Sequence, residues 1–525
     1  MKLKYMLGAA IPAMVLTGAI ATPASAFTLS RVGGAEVEGG AEISAFDADT
    51  ANLFVTTGDT IEIFNLSTPS TPNFFGSIDL TDPANIGGFV GGGVNSVAFG
   101  NGILAAAIEA ETAQDNGIVA FFDAFGSFQT SFKVGALPDM LTFTPDGSKV
   151  LVANEGEPSD EYDVDPEGSV SIIDIANSTV NNIGFGGVDI DPEVRIFGPG
   201  STPEEDLEPE YIAVSEDGST AYVALQENNA FGILDLETES FTAVKSLGFK
   251  DHSLEGNGFD ASNRDDGINI QTHPVLGMYQ PDAIATYTVD GAPYVVTANE
   301  GDARDYDGFS EEERVADLVL DPTAYPNAAE LQLDENLGRL KTTNTLGDTD
   351  GDGDVDQIYS YGARSFSIWD AEGNLVFDSG DDFEQFIAAN FPELFNINDG
   401  DPEEFDDRSD DKGPEPEGVT IGIIDGKPVA FIGLERTGGV MVYDISNPAA
   451  PSFISYEPSF KGDVSPEGLL FIDGEDSPTG QSLLVVTNEE SNTFSVYQPV
   501  PEPGTLLGLL GGAAAFFGIR RKRSA

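Results

Sequence analysis

Apolar and β-branched residues alternate along this chain in short runs, and the runs come in pairs separated by Gly, Asp and Pro. Residues 280–306 set the pattern: Gln-Pro-Asp-Ala-Ile-Ala-Thr-Tyr, a Val-Asp-Gly turn, then Pro-Tyr-Val-Val-Thr-Ala-Asn-Glu-Gly-Asp. Two alternating runs about a tight turn predict an antiparallel hairpin. Such a hairpin brings its two ends together, so Asp282 and Glu300 are expected side by side. The pair recurs over 41–57, 94–109, 138–155, 209–227, 281–300, 416–435 and 466–489, each followed by a third apolar run such as 61–66 or 170–175. Repetition on this scale predicts an all-β fold, a seven-bladed β-propeller. The last unit has only three runs, whereas residues 28–32 are an unassigned strand, which is expected to close the ring beside 494–497.

The period breaks twice near the fifth unit. Residues 308–357 insert a stretch with an expected helix at 310–320 and an Asp/Gly run; residues 379–413 insert an expected helix at 382–390 followed by a very acidic segment. Long excursions from a rigid scaffold tend to carry function. The two insertions are expected to cap one mouth of the propeller.

Both ends read as addresses. Lys2 and Lys4, an apolar run over 6–20 and Ala24-Ser25-Ala26 predict a signal peptide spanning 1–26, cleaved before Phe27. At the other end Val500-Pro501-Glu502-Pro503 leads into an apolar segment over 504–519, closed by Arg520, Arg521, Lys522 and Arg523. That segment is short of the ~20 residues a membrane-spanning helix needs. In this order of features the tail resembles a PEP-CTERM sorting signal. The resemblance implies export in a Gram-negative bacterium to the periplasm, outer surface or extracellular matrix. It also implies an exosortase-type processing enzyme, transient membrane contact through the tail, and often an exopolysaccharide setting. The propeller then occupies 27–499 and the sorting segment 500–525.

The charge narrows the partners. Among 525 residues, 90 Asp and Glu against 23 Lys and Arg give a formal net charge of -67. Such a surface repels nucleic acid and anionic lipid and attracts divalent cations or basic partners. The chain has no cysteine, which excludes disulfides and thiolate sites.

Acids recur at fixed places in the hairpins. Asp139, Glu210, Asp282, Glu417 and Glu467 open first strands; Glu109, Glu155, Glu227, Glu300, Glu435 and Glu489 end second strands. First strands line a propeller's channel, so a carboxylate ring is expected at one mouth, where crowding raises pKa values unless cations neutralise it. The alternative is that these acids cap turns. A second group, Asp348, Asp350, Asp352, Asp354 and Asp356, alternates with Gly as in the first half of an EF-hand loop. Tyr359 stands where the twelfth-position Glu is needed, so a single-loop calcium site is expected, with another divalent metal possible. Cations are few. Arg304 and Arg364, with Asp302, are candidates for a phosphate-clamping catalytic group, or else they neutralise neighbouring acids. Arg408, Lys412 and Arg436 flank the same acids. His252 and His273 lie before the fifth unit, where a loop histidine is usually exposed; two histidines offer no Ser/His/Asp triad.

Ala-Asn-Glu-Gly-Glu at 153–157, Ala-Asn-Glu-Gly-Asp-Ala-Arg-Asp-Tyr at 298–306, Gly-Ala-Arg-Ser-Phe-Ser-Ile at 362–368 and Asp-Asp-Lys-Gly-Pro-Glu-Pro-Glu-Gly at 410–418 together resemble the choice-of-anchor I family. The resemblance implies a secreted propeller attached to varied sorting signals. Some relatives are labelled alkaline phosphatases and others are animal cell-surface glycoproteins, so it implies fold more than function. Two readings follow: a metal-dependent, alkaline phosphatase-like phosphoesterase acting on a phosphoester substrate, or a calcium-stabilised surface protein that binds a polymer such as exopolysaccharide.

Overall fold

The computed structural model describes residues 27–265, 267–459 and 462–501. The expected signal peptide, and the sorting segment from residue 502 onward, lie outside the described residues.

The alternating runs form seven four-stranded antiparallel sheets, six of them meanders in sequence order and the seventh completed by the N-terminal strand. Their first strands are Ser44–Asp47, Gly91–Gly100, Pro138–Phe143, Ile212–Val214, Ile284–Val289, Pro416–Ile424 and Pro466–Ile472. These first strands neighbour one another in a closed cycle, the last against the first. The fold is a β-propeller. Second strands are buried on both faces, which is why Asn52–Thr57 and Leu483–Asn488 read as nearly continuous apolar runs. Fourth strands such as Asn73–Asp79 are largely exposed.

The core lies between sheets rather than at one centre. Leu151 and Val223 join the third and fourth blades, Val295 and Tyr222 the fourth and fifth, Ile368 and Ile432 the fifth and sixth, and Val485 and Val55 the seventh and first. The seventh sheet runs Pro466–Ile472, Leu483–Asn488, Thr493–Pro501 and then Phe27–Glu36. Thr28 pairs with Val500 and Arg31 with Tyr497, so the N-terminal strand closes the ring. This covers an edge that would otherwise present unpaired backbone groups.

The insertions differ in part from expectation. No helix covers 310–320: Glu312–Arg314 is a strand paired with Lys341–Thr343. The i, i+3 spacing of Val315 and Leu318 suggests a helix, yet both side chains bury beside Phe259 and Leu337, and sheet pairing overrides the local pattern. That strand belongs to an extra five-stranded sheet, ordered Phe249–Asp251, Val275–Met278, Ile358–Ser360, Lys341–Thr343, Glu312–Arg314. The chain therefore also leaves the blades over 247–283, and again over 184–211. The helix Asp382–Asn390 is present, with Phe383 and Ile387 buried against the cluster of Phe366 and Tyr443. The two insertions are tied together where Arg314 and Arg339 both meet Asp410 and Lys341 meets Asp411.

Candidate functional site

A repeated backbone device aims the acids inward. Leu137, Gln280, Glu415 and Ser465 each precede the proline that opens a first strand, and each is left-handed, with φ of 44°, 40°, 51° and 56°. A residue before proline normally favours extended backbone, and a non-glycine in this region costs roughly 1–3 kcal/mol. The turn directs the residue's carbonyl at the end of the second strand: Leu137 accepts from Glu155 N (2.9 Å), Glu415 from Glu435 N (2.8 Å) and Ser465 from Glu489 N (2.9 Å). Gln280 accepts from Gly301 N (3.0 Å). In three of these blades the register then slips, between Pro138 and Leu141, Pro416 and Val419, and Pro466 and Leu469. A bulge re-aims the side chain it carries. Here it turns Asp139, Glu417 and Glu467 into the channel beside the acids that end the second strands.

The result is a cavity of about 740 Å³ lined by fourteen carboxylates and two cationic side chains, Lys412 and Arg436. Glu155, Glu227, Asp282, Glu300, Glu417, Glu435, Glu467 and Glu489 all line it, as do Asp139, Glu210 and Asp302. Glu109 does not, and the second blade presents Asn95 instead. Glu42, Glu157 and Asp305 also line the wall. Glu42 escapes a reading of the sequence because its blade lacks the Pro-acid pair. Asp282 and Glu300 lie together as expected, each offering an oxygen within 4.8 Å of the other and of Glu417.

Burial is the first cause of raised pKa values here, and neighbouring carboxylates are the next. Glu42 is pushed up to about 7 by burial, then by Glu489 and Asp139. Asp139 reaches about 7 through burial and Glu157, and Glu435 about 8 through burial and Glu415. Burial also lifts Asp302 to about 7, against the lowering influence of Lys412. Glu155, Glu210, Asp282, Glu417 and Glu467 are held well above the carboxylate range by burial and by one another.

The cations that reach the lining lie on one side. On the fifth and sixth blades, Lys412 Nζ lies 2.5 Å from Glu300 Oε1 and 3.5 Å from Glu415 Oε2. Arg436 Nη2 lies 2.9 Å from Glu435 Oε1, and Arg408 also pairs with Glu415. On the fourth blade the carboxyls of Glu210 and Glu227 bond one another, and neither Oε2, nor Glu417 Oε2 on the sixth blade, has a further partner among the described residues.

Arg304 and Arg364 are not part of the lining. Arg304 is buried behind the wall, with Nη1 2.5 Å from Asp206 Oδ1 and Nη2 2.7 Å from Glu208 Oε2. Arg364 donates to Glu384 Oε1 (2.8 Å) and to the carbonyls of Asp260, Ser409 and Asp411, and its guanidinium stacks over Phe259. The terminal nitrogens of each guanidinium are taken up by carboxylates and carbonyls of the segments joining the blades, so neither presents a cation to the cavity. The cations that do were legible only as flanking residues. His252 and His273 also depart from expectation: both are buried against Phe259, and burial pushes His273 down to about 4.

In the exposed Asp/Gly loop, Asp348, Asp350 and Asp356 gather oxygens within 4.8 Å, and Asp354 and Asp356 do so with Asp321. Asp352 joins neither group. Asp321 was not legible as a member, since it lies outside the alternating run and is brought in by its backbone N–H, which donates to Val355 O (3.0 Å). Asp348 already accepts from Gly351 N (2.7 Å) and Gly353 N (3.0 Å), so its side chain shapes the loop. A further trio, Asp260 and Asp406 buried and Asp265 half-buried, joins the 252–275 segment to the second insertion. Nothing in the periodic pattern marks it.

Fold and site together define a β-propeller with an acid-lined channel, to whose lining the second insertion contributes Lys412. The chain belongs to the choice-of-anchor I domain family, whose profile matches residues 42–448, and a PEP-CTERM protein-sorting motif matches 499–523. These matches make it an exported surface protein of a Gram-negative bacterium, processed by exosortase-type machinery. Gigasin-3a of Magallana gigas is 30% identical over 202 residues, 33% of this chain and 70% of that protein. The mesenchyme-specific cell surface glycoprotein of Strongylocentrotus purpuratus is 28% identical over 340 residues, 57% of this chain but only 41% of that protein. Among solved structures, Kuenenia stuttgartiensis hydrazine synthase superposes with a TM-score of 0.48 at 13% identity, covering 89% of this chain and 98% of that one. The β-propeller domain of Myceliophteria thermophila Cps50 (Swd1) does so at 0.44 and 9%, covering 90% and 99%. No helix among the described residues is long and apolar enough to cross a membrane.

Proposed function

We propose that this protein is a surface-displayed binding module whose channel holds hard divalent cations, calcium above all, and which acts at the outer cell surface or in the extracellular matrix. The observation that carries this reading is the lining of fourteen carboxylates against two cations. All-oxygen donor sets without His or Cys suit calcium or magnesium, and a roomy, irregular site suits calcium better. The Asp348 to Asp356 loop is the second calcium site in this reading. A calcium-loaded channel mouth would attract the acidic groups of an exopolysaccharide that the carboxylates alone repel. Display at a surface accords with one relative's being a cell surface glycoprotein.

Calcium-dependent phosphoester hydrolysis is the second reading. It is favoured by Asp302, which titrates near neutrality in the cavity close to Lys412 and so suits a general base. In that reading the metal supplies the electrophile, and Lys412 replaces Arg304 and Arg364 as the cation near the phosphoryl group. One experiment separates the two: the mature chain is given a chromogenic phosphate ester and, separately, acidic exopolysaccharide, each with calcium and with chelator. Calcium-dependent retention of polymer without turnover supports the binding module. Turnover lost on Asp302→Asn would move the assignment to the esterase, and neither activity would remove both.

A further inference from the structure

We propose that the face of the propeller opposite the acid-lined mouth is a membrane-contact face. While the chain carries its sorting segment, that face rests on the headgroups of a near-neutral phospholipid bilayer and the mouth points away from it. The contact is independent of what the channel holds.

Strand direction fixes where the described chain ends. Glu489 lines the cavity, and the strand that follows it, Thr493–Pro501, runs away from the mouth. Its 9 residues, at roughly 3.3 Å each, carry the chain across the blade. At the far end Pro501 pairs with Phe27. Beyond Pro501 only Glu502 and Pro503 precede the apolar residues 504–519. Three Cα steps of about 3.8 Å put Gly504 within about 11 Å of Pro501. An apolar run closed by Arg520, Arg521, Lys522 and Arg523 favours a bilayer over water. Being short of the ~20 residues a span needs, it draws its flanks toward the headgroups. The bilayer that takes this segment therefore lies against the far face.

The far face carries the apolar side chains such a contact needs. First strands begin at the mouth, so first strands end, and fourth strands begin, at the far face. Phe74 and Phe75, near the start of Asn73–Asp79, are 55% and 51% exposed, and Phe125, in the turn before the second blade's fourth strand, is 59% exposed. The rings of Phe75 and Phe125 lie 6.2 Å apart and join the first two blades. Phe75 is the residue a bulge leaves unpaired, since Phe64 faces Phe74 and Ile63 faces Gly76. On the sixth blade Phe453 near the start of Ser452–Glu457 and Ile423 near the end of Pro416–Ile424 are also exposed. The seventh blade, from which the tail leaves, lies between these two groups. Phe405, in the second insertion, is the one exposed phenylalanine elsewhere among the described residues. Phenylalanines left in water on one face of an otherwise polar body mark an apolar partner, and the neighbouring tail makes that partner a bilayer. Asp49, Asp146 and Asp425 are exposed in turns of the same face, on a chain of net charge -67, so anionic lipid is repelled and the bilayer is a near-neutral one.

The test uses the full mature chain, inserted by its tail in phosphatidylcholine vesicles with and without bromine on the acyl chains. Trp369, the chain's single tryptophan, is buried and supplies a constant background. F75W and F453W are expected to add emission that brominated lipid quenches by about half or more, since interfacial aromatic side chains reach the acyl boundary. F405W is expected to add emission that bromine leaves unchanged. Equal quenching of F405W and F75W overturns the orientation, and absence of quenching at F75W and F453W overturns the contact. Emission from F75W that changes with the number of chains per vesicle but ignores bromine assigns the patch to a second copy and overturns it as well. The two reporters stand on different blades, so if one variant fails to fold the other decides.

Discussion

Lys412, carried by the second insertion, donates from Nζ to Glu300 Oε1 over 2.5 Å and so pins the cap to the end of the fifth blade's second strand. Both side chains are largely buried, at 13% and 12% exposure. Removing one partner of such a pair leaves the other uncompensated, a loss of about 3–5 kcal/mol. Lys412→Met is therefore expected to destabilise the protein by about that much in chelator, and calcium is expected to restore most of it. Glu300→Gln added to Lys412→Met should cost less than the sum of the single changes. Denaturant melts of the four proteins of this cycle give the coupling; additive costs would show that the pair does not hold the cap.

The raised carboxyls set a pH dependence of definite sign. Glu42, Asp139 and Asp302 at about 7 and Glu435 at about 8 stay protonated in the folded chain, while their unfolded counterparts ionise near 4.5 or 3.8. Between these limits the folded state binds more protons than the unfolded state, so unfolding free energy falls as pH rises. Calcium-free protein is expected to be most stable near pH 4 and to lose stability steadily from there through pH 7 to 8. Calcium is expected to take the place of those protons and to flatten the slope. Tm measured across this range in chelator and in calcium checks it, and a flat profile in chelator would contradict the buried-proton account.

Chelation is expected to loosen the first insertion before the blades. Asp354 is raised to about 6 by burial and by Asp352, and Asp350 is raised first by Asp352, so the ion-free loop carries mutual repulsion. Limited proteolysis is expected to cut between residues 308 and 357 faster in chelator than in calcium. Asp350→Asn, which lessens the repulsion, should narrow the difference; equal rates in both conditions would remove calcium from this loop.

Ser465→Gly is expected to leave stability unchanged or raise it by up to about 1 kcal/mol, because glycine relieves the left-handed strain. Ser465 sits at φ 56° before Pro466, and its buried hydroxyl has no partner among the described residues. Its useful contribution is the carbonyl that accepts from Glu489 N, which glycine keeps. A fall in Tm of several degrees would mean that the hydroxyl has a role the pairing does not reveal.

Arg304→Met is expected to cost about 3–5 kcal/mol by stranding Asp206 and Glu208, both wholly buried. Stability and cation binding should decline together. A variant that folds as well as the parent yet loses ester turnover would restore the catalytic role the sequence suggested.

The alternation of apolar residues was enough to determine the hairpins, the ring and its closure by the N-terminal strand. Period and turn chemistry are local properties, and closing a propeller requires only that strands pair in order. It was also enough to place Asp282 beside Glu300, since a hairpin of known register joins its own ends. Spacing did not reveal the roles of the cations. Arg304 and Arg364 sit in motifs next to the acid ring, but Asp206, Glu208, Glu384 and backbone carbonyls from distant segments decide where each guanidinium points. Lys412 reads as one base in an acidic run until the second insertion folds back and delivers it to Glu300. The helical spacing around Val315 likewise yields to a strand because Lys341–Thr343 is there to pair with it. Sequence settles what neighbours along the chain impose on one another; the counter-charge of a buried acid depends on residues far away in the chain, and only the tertiary structure decides which of them arrive.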